Sequence, residues 1–168
     1  NITLFNAFQK TDNDKKGKFS LERYVSAHAI MIAFDGVPAI YFNSIFGTSN
    51  DEHKYIISGN KRDLNRYKWN KKKLENQLKD KKSKQSIFYH KVTNLISIKK
   101  QNKAFHPNAK RESLNMGKKI FCFKRTSLDK KQIIYNVTNL SSKYQKFKFD
   151  KKLNKYKNLL DKTKINHK

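Results

Sequence analysis

Hydrophobic positions along the chain follow two rhythms, and the change falls near residue 107. Residues 1–8 (NITLFNAF) form a short apolar-polar segment that runs into a polar loop, TDNDKKGK (11–18). Ser20 is the expected N-cap of the helix that follows, LERYVSAHAIMIAF, and Glu22 in its first turn suits the helix dipole. Leu21, Tyr24, Val25, His28 and Ile32 cover more than one face, which predicts a largely buried helix. Gly36 closes it and Pro38 forbids its continuation. The run Ala39-Ile40-Tyr41-Phe42 then predicts a strand buried on both faces, as in a parallel sheet. Residues 43–69 read as one long connection, a length that points to a functional loop. Asn70 caps a helix with Leu74 and Leu78 at i, i+4, and 85–102 is a stronger helix with Phe88, Val92, Leu95, Ile96 and Lys99 on one stripe.

After Pro107 the period shortens to two. Residues 118–126 (KKIFCFKRT), 131–140 (KQIIYNVTNL) and 144–150 (YQKFKFD) predict three antiparallel strands separated by polar turns such as Ser127-Leu128-Asp129-Lys130. Helix, tight turn and buried strand in the first part are half of a βα repeat, whereas the second part is a small all-β domain. The expected division is therefore 1–106 and 107–168, with the lysine-rich stretch 151–168 resolving into no element.

Composition changes this picture less than it first promises. Lys and Arg number 39 against 13 Asp and Glu, a formal net charge of +26, which is the footprint of a polyanion-binding protein. Yet 34 of those cations are lysine and five are arginine, and asparagine appears 18 times. Phosphate and base-edge recognition favours the planar guanidinium. Lysine and asparagine rising together at the expense of Gly and Pro point instead to compositional drift, so no specific nucleic acid is expected. The single cysteine, Cys122, sits in an apolar run; it offers no disulfide framework and fits a reducing compartment, the cytoplasm. No stretch reaches the roughly 20 apolar residues of a membrane helix, so no membrane partner is expected.

The candidate chemistry lies in the long connection. A polar loop carrying Arg62 and Arg66 follows the apolar run, the way a barrel strand delivers a substrate-contacting loop. The competing reading of Arg62 is a surface salt bridge to Asp63 or Asp51. Asp51-Glu52-His53 has no metal-ligand spacing, so no metal is expected. Asp12 and Asp14 read as solvated loop acids, His28 as a satisfied core histidine and Cys122 as inert core; His90 and His106 show no partner.

At this point a family is in view. The stretch GVPAIYFNSIFGTSND, the sextet KRDLNR (61–66) and KAFHPNA (103–109) resemble the C-terminal part of glycoside hydrolase family 13, in the branch of sucrose, sucrose 6-phosphate and glucosylglycerate phosphorylases. The resemblance implies the fold class α/β, as the C-terminal end of a TIM (β/α)8 barrel, with 20–35 as the seventh barrel helix and the eighth strand near 37–42. A substrate loop at 43–69 and a small antiparallel all-β C-terminal domain complete it. It further implies retaining α-glucosyl transfer: one carboxylate attacks the anomeric carbon, another serves as acid and base, and phosphate takes the sugar from the covalent intermediate. The family positions place these carboxylates upstream of Asn1, so the chain is expected to hold no catalytic residue and to be inactive by itself. Arg62 matches the family arginine at the substrate and phosphate end of the pocket. Asn65, Arg66 and Asp51 are expected to support the loop. No cofactor is implied; inorganic phosphate is the co-substrate and a small-molecule glucoside the partner, with a homodimer as the open assembly state. An α-amylase-type hydrolase and a lysine-rich nucleic-acid-binding module stand as alternatives.

Overall fold

A computed structural model describes residues 1–147 and 156–163. The backbone divides into two compact units, one comprising Asn1–Ala29 with Pro38–Thr93 and the other Ile30–Val37 with Asn94–Lys168. Its helices are α1 (Leu4–Gln9), α2 (Ser20–Ala33), α3 (Phe42–Ile45), α4 (Glu52–Ser58), α5 (Lys71–Lys79) and α6 (Lys84–Gln101), with 3₁₀ turns at Asp63–Asn65 and Lys103–Phe105. One three-stranded antiparallel sheet follows, β1 (Lys110–Asn115), β2 (Ile120–Thr126) and β3 (Ile133–Asn139), with β2 in the middle.

The first unit is built on aromatic packing and side-chain caps. Thr3 caps α1 by accepting from the Asn6 N–H. Phe5 and Phe88 meet edge to face at 5.4 Å, and Tyr24 closes on Phe88 at 4.8 Å. Gly47 is required twice over: its φ is +58°, and a Cβ there would lie 2.7 Å from the Phe88 ring. Of the two acids in the 11–18 loop, Asp12 is exposed as its sequence suggested, but Asp14 is not simply solvated. Asp14 accepts from the backbone N–H of Lys18 and Phe19, each at 2.9 Å, and pairs with Arg23 at 2.8 Å. The Phe19 N–H bond, the Arg23 guanidinium and the Lys18 N–H together hold its pKa down to about 2. Asp14 thus satisfies orphan N–H groups ahead of α2, and Ser20 is already inside the helix rather than capping it. Asn70 caps α5 as its sequence implied, accepting from the Lys73 N–H at 3.0 Å.

The apolar run 39–42 departs from the expected strand. Tyr41 has extended dihedrals, φ −65° and ψ 136°, but α3 begins at Phe42, and no strand pairing forms among residues 37–41. Nor is the run buried: Tyr41 is 55% exposed and Phe42 56%, and Val37 ahead of it is 81% exposed. A strand of a parallel sheet draws its hydrogen bonds and its cover from neighbouring strands, and among the described residues of this unit there are none to supply them. Residues 43–69, expected as a structureless loop, hold α3, α4 and a 3₁₀ turn.

In the second unit the sheet packs around Phe123, with Ala33 and Phe105 buried beside it and Phe34, Ile98, Phe121 and Ile134 against them. The register runs Ser113↔Phe123↔Asn136 and Leu114↔Cys122↔Val137. β2 and β3 fall where alternation put them. β1 was not foreseen, because KRESLN carries one apolar residue; charged positions are what an edge strand tolerates. Residues 144–147 form no strand, and 148–150 of the expected third strand lie outside the described residues. Two cations finish the end of α2. Lys99 Nζ donates to the carbonyls of Ile32 (2.9 Å) and Phe34 (3.3 Å), and Arg125 Nη1 to that of Ala33 (3.0 Å). Positive charge on orphan carbonyls is the favourable sense of the helix dipole. Arg125 is fully buried and reaches the His106 carbonyl at 2.7 Å, while its Nε has no partner.

Candidate functional site

The connection 43–69 is a closed loop whose shape comes from three polar clasps. Asn43, buried in α3, donates from Nδ2 to the Tyr67 carbonyl at 2.9 Å. Thr48 Oγ1 accepts from the Trp69 indole at 3.1 Å. The Asp51 N–H donates to the Leu64 carbonyl at 2.8 Å. Inside the clasps, the Asp51 carboxylate caps α4 by accepting from the Lys54 N–H at 3.0 Å, and Gly59 ends the helix in the left-handed region at φ +63°. The Asn60 side chain then accepts from the Arg62 N–H at 3.0 Å, setting the turn into Asp63–Asn65.

This geometry leaves two guanidinium groups of the loop, Arg62 and Arg66, exposed and without an ion pair among the described residues. Arg62 stands exposed at the start of the 3₁₀ turn with φ −74° and ψ −25°, and its side chain makes no ion pair among the described residues. The two acids that could neutralise it are committed elsewhere. Asp63 binds the Lys54 ammonium at 2.8 Å, and that bond, with one from Ser58, holds its carboxyl below the usual range. Asp51 is the cap of α4. Across residues 51–68 five cations (Lys54, Lys61, Arg62, Arg66 and Lys68) face three acids, so the loop carries a positive excess that includes two planar guanidinium groups.

The remaining candidates take separate places. Asn65, half-buried, lines a recess with Thr3, Tyr24, Tyr41, Asn43 and Thr48. The recess has a volume of about 50 Å³, room for a few waters and far short of the roughly 300 Å³ at which small-molecule pockets begin. Arg66 is exposed, and its N–H reaches the Asp63 carbonyl at 3.4 Å. Asp51 is joined through its backbone N–H to Leu64, the neighbour of Asn65, whereas the Arg62 and Arg66 side chains share no partner among the described residues. Glu52 accepts from Asn50 at 3.2 Å. Among the described residues no group of three His, Cys, Asp or Glu could hold a metal ion, and no helix is long and apolar enough to cross a membrane.

Sequence reasoning missed Asn43, Thr48 and Trp69 as clasps. The signal available was the presence of polar residues, Asn43, Ser44 and Thr48, around the apolar pair Ile45-Phe46. His28 is core, as expected, but only half satisfied: Nδ1 lies 3.0 Å from the Tyr24 carbonyl while Nε2 has no partner, and burial pushes its pKa down. His106 does have a partner, since its Nδ1 accepts from the Asn108 N–H at 3.2 Å. Cys122 is buried, its thiol pushed up to about 11 by desolvation.

No protein-family model matches the chain. Curated proteins do, and those it resembles are named phosphorylases. Each is named, in particular, a glucosylglycerate phosphorylase. The chain is 32% identical over 108 residues to that of Allomeiothermus silvanus, a match covering 64% of this chain and 20% of the relative. The Escherichia coli protein matches at 32% over 108 residues, covering 64% and 19% respectively. The Spirochaeta thermophila protein matches at 23% over 141 residues, covering 84% and 24%. The resemblance to this phosphorylase branch, read first from KRDLNR and its flanks, is thus shown over most of the chain. The chain spans about a fifth to a quarter of the length of the relatives it matches.

Proposed function

We propose that the chain is the C-terminal part of a retaining α-glucosyl phosphorylase of glycoside hydrolase family 13, and that glucosylglycerate is the first substrate to test. The supporting observation is the similarity to three proteins named glucosylglycerate phosphorylase. On this reading the catalytic carboxylates belong to a part of the enzyme outside the chain. One of them forms the glucosyl-enzyme intermediate, and phosphate attacks its anomeric carbon. The Arg62 loop lies at the phosphate side of the pocket. A guanidinium with no carboxylate partner suits that place, because it offers two parallel N–H donors to a phosphate without first breaking an ion pair. Residues 37–42 are the eighth barrel strand, exposed here for want of neighbours, and 107–168 are the appended β-domain. Sucrose and sucrose 6-phosphate are the competing glucosides. A cytoplasmic location and a homodimer belong to the same proposal.

The test uses the longer protein that carries this chain, incubated with glucosylglycerate and phosphate. Glucose 1-phosphate and glycerate are the expected products. Arg62→Ala should cut phosphorolysis on the order of a hundredfold, the scale of losing one charged donor to the transition state, and slow hydrolysis of the intermediate far less. Free glucose formed at a rate indifferent to phosphate would establish the hydrolase instead, and equal loss of both reactions would reduce Arg62 to a structural part.

A further inference from the structure

Lys54 engages both of the acids that compete for Arg62. Its backbone N–H donates to the Asp51 carboxylate at 3.0 Å, and its ammonium donates to Asp63 Oδ1 at 2.8 Å. The first bond caps α4 and does not depend on the Lys54 side chain. The second reaches a carboxylate largely withdrawn from water, with 18% of the Asp63 side chain exposed. Ser58 adds a hydrogen bond and Lys68 a weaker attraction, but the Lys54 contact is the largest influence on that carboxyl. Helix α4 and the 3₁₀ turn have an independent tie, the Asp51 N–H donating to the Leu64 carbonyl, backbone to backbone. An ammonium that only braced the turn would duplicate that tie. Asp63 directly follows Arg62 in the chain, and Arg62 lacks an ion pair among the described residues. Leaving a withdrawn carboxylate unpaired is costly, so with the ammonium gone its nearest cation along the chain is Arg62.

Resting on the reading of Arg62 as the phosphate contact, we infer that Lys54 is a positioning residue: its ammonium occupies Asp63 and leaves the Arg62 guanidinium free for phosphate. The planar fork then meets phosphate with no carboxylate to displace. Without the ammonium, Asp63 competes for the same donors, and phosphate binds only the fraction of molecules in which Arg62 is unpaired. Such competition raises the phosphate KM and leaves the chemical step of the phosphate-bound enzyme intact.

The experiment uses the longer protein that carries this chain, with phosphate varied at saturating glucosylglycerate. In parallel, arginines are labelled with phenylglyoxal and read by peptide mass spectrometry. Lys54→Met should raise the phosphate KM about two- to fivefold, the range of a surface ion pair competing for Arg62, with kcat within about twofold of the parent. Lys54→Arg should keep the parent KM. Asp63→Asn added to Lys54→Met should restore it, because an amide offers the guanidinium no charge. Lys61→Met, which takes the same charge from the loop without freeing an acid, should move KM far less. Labelling of Arg62 should slow in Lys54→Met relative to Arg111, which is paired with Asp35, and recover in the double variant. A KM indifferent to Lys54→Met, a double variant no better than the single one, or an equal effect of Lys61→Met would overturn the assignment. If turnover ignores phosphate while labelling follows this pattern, the hold of Lys54 on Asp63 stands and the phosphate reading of the loop falls.

Discussion

Ala39–Phe42 and Ile120–Phe123 read almost alike: AIYF and IFCF are four-residue runs of apolar residues rich in β-branched and aromatic side chains. Their fates are opposite. Ile120–Phe123 lies in β2, hydrogen-bonded to a strand on each side, with Phe123 fully buried. Ala39–Tyr41 is unpaired, with Tyr41 extended and Ala39 and Tyr41 exposed. The difference lies in what each run finds beside it. β2 is flanked within a short stretch of chain by β1 and β3, so its ladder closes locally. A parallel strand needs neighbours delivered by long crossovers. Burial is therefore a property of a strand and its partners together, and an apolar run with none takes an extended form without the sheet.

The contrast predicts a graded set of mutational effects. Phe123→Ala should cost about 3–5 kcal/mol, the range for emptying a core aromatic site. A denaturant midpoint within error of the parent would show that the sheet does not depend on this core. Gly47→Ala comes next, at about 2–4 kcal/mol, because it adds strain at positive φ to a collision with Phe88. Recovery of full stability in Gly47→Ala with Phe88→Leu would identify the collision as the larger part.

Polar side-chain contacts stabilise the first unit where strand pairing stabilises the second, and the Asp14 carboxylate among them makes that unit sensitive to acid. The folded pKa of Asp14, about 2, lies below its unfolded value near 3.8. Its contribution is therefore complete above roughly pH 4–5 and fades as pH falls toward 2. The urea midpoint of Asp14→Asn should fall below the parent at neutral pH and converge with it in acid; a gap independent of pH would assign the loss to shape rather than charge. At the small end, Phe42→Ala should change stability by no more than about 0.5 kcal/mol, since the side chain is more than half exposed.

Much of this fold was legible where the signal is local. Asn70 before Lys71, Gly36 and Pro38 after α2, and the alternation through β2 and β3 each carry their reason within a few residues. α4 was legible too, from Asp51 at its start and Gly59 past its end, but the length of the connection argued for a loop. Non-local facts were hidden. Nothing near Arg125 announces that its guanidinium is buried against the carbonyls of Ala33 and His106, 92 and 19 residues away. The clasps that frame Arg62 couple residues 13 to 24 positions apart, so the arginine was visible as a candidate while the geometry that leaves it unpaired was not.

On the proposed reading, residues 37–42 are a barrel strand deprived of its neighbours, and amide hydrogen exchange over Ala39–Phe42 tests this most directly. These amides should exchange within about tenfold of the unprotected rate in the 168-residue chain. In the longer protein they should slow by at least about a thousandfold, approaching β2. Fast exchange in both would contradict the barrel assignment and, with it, the place given to the Arg62 loop.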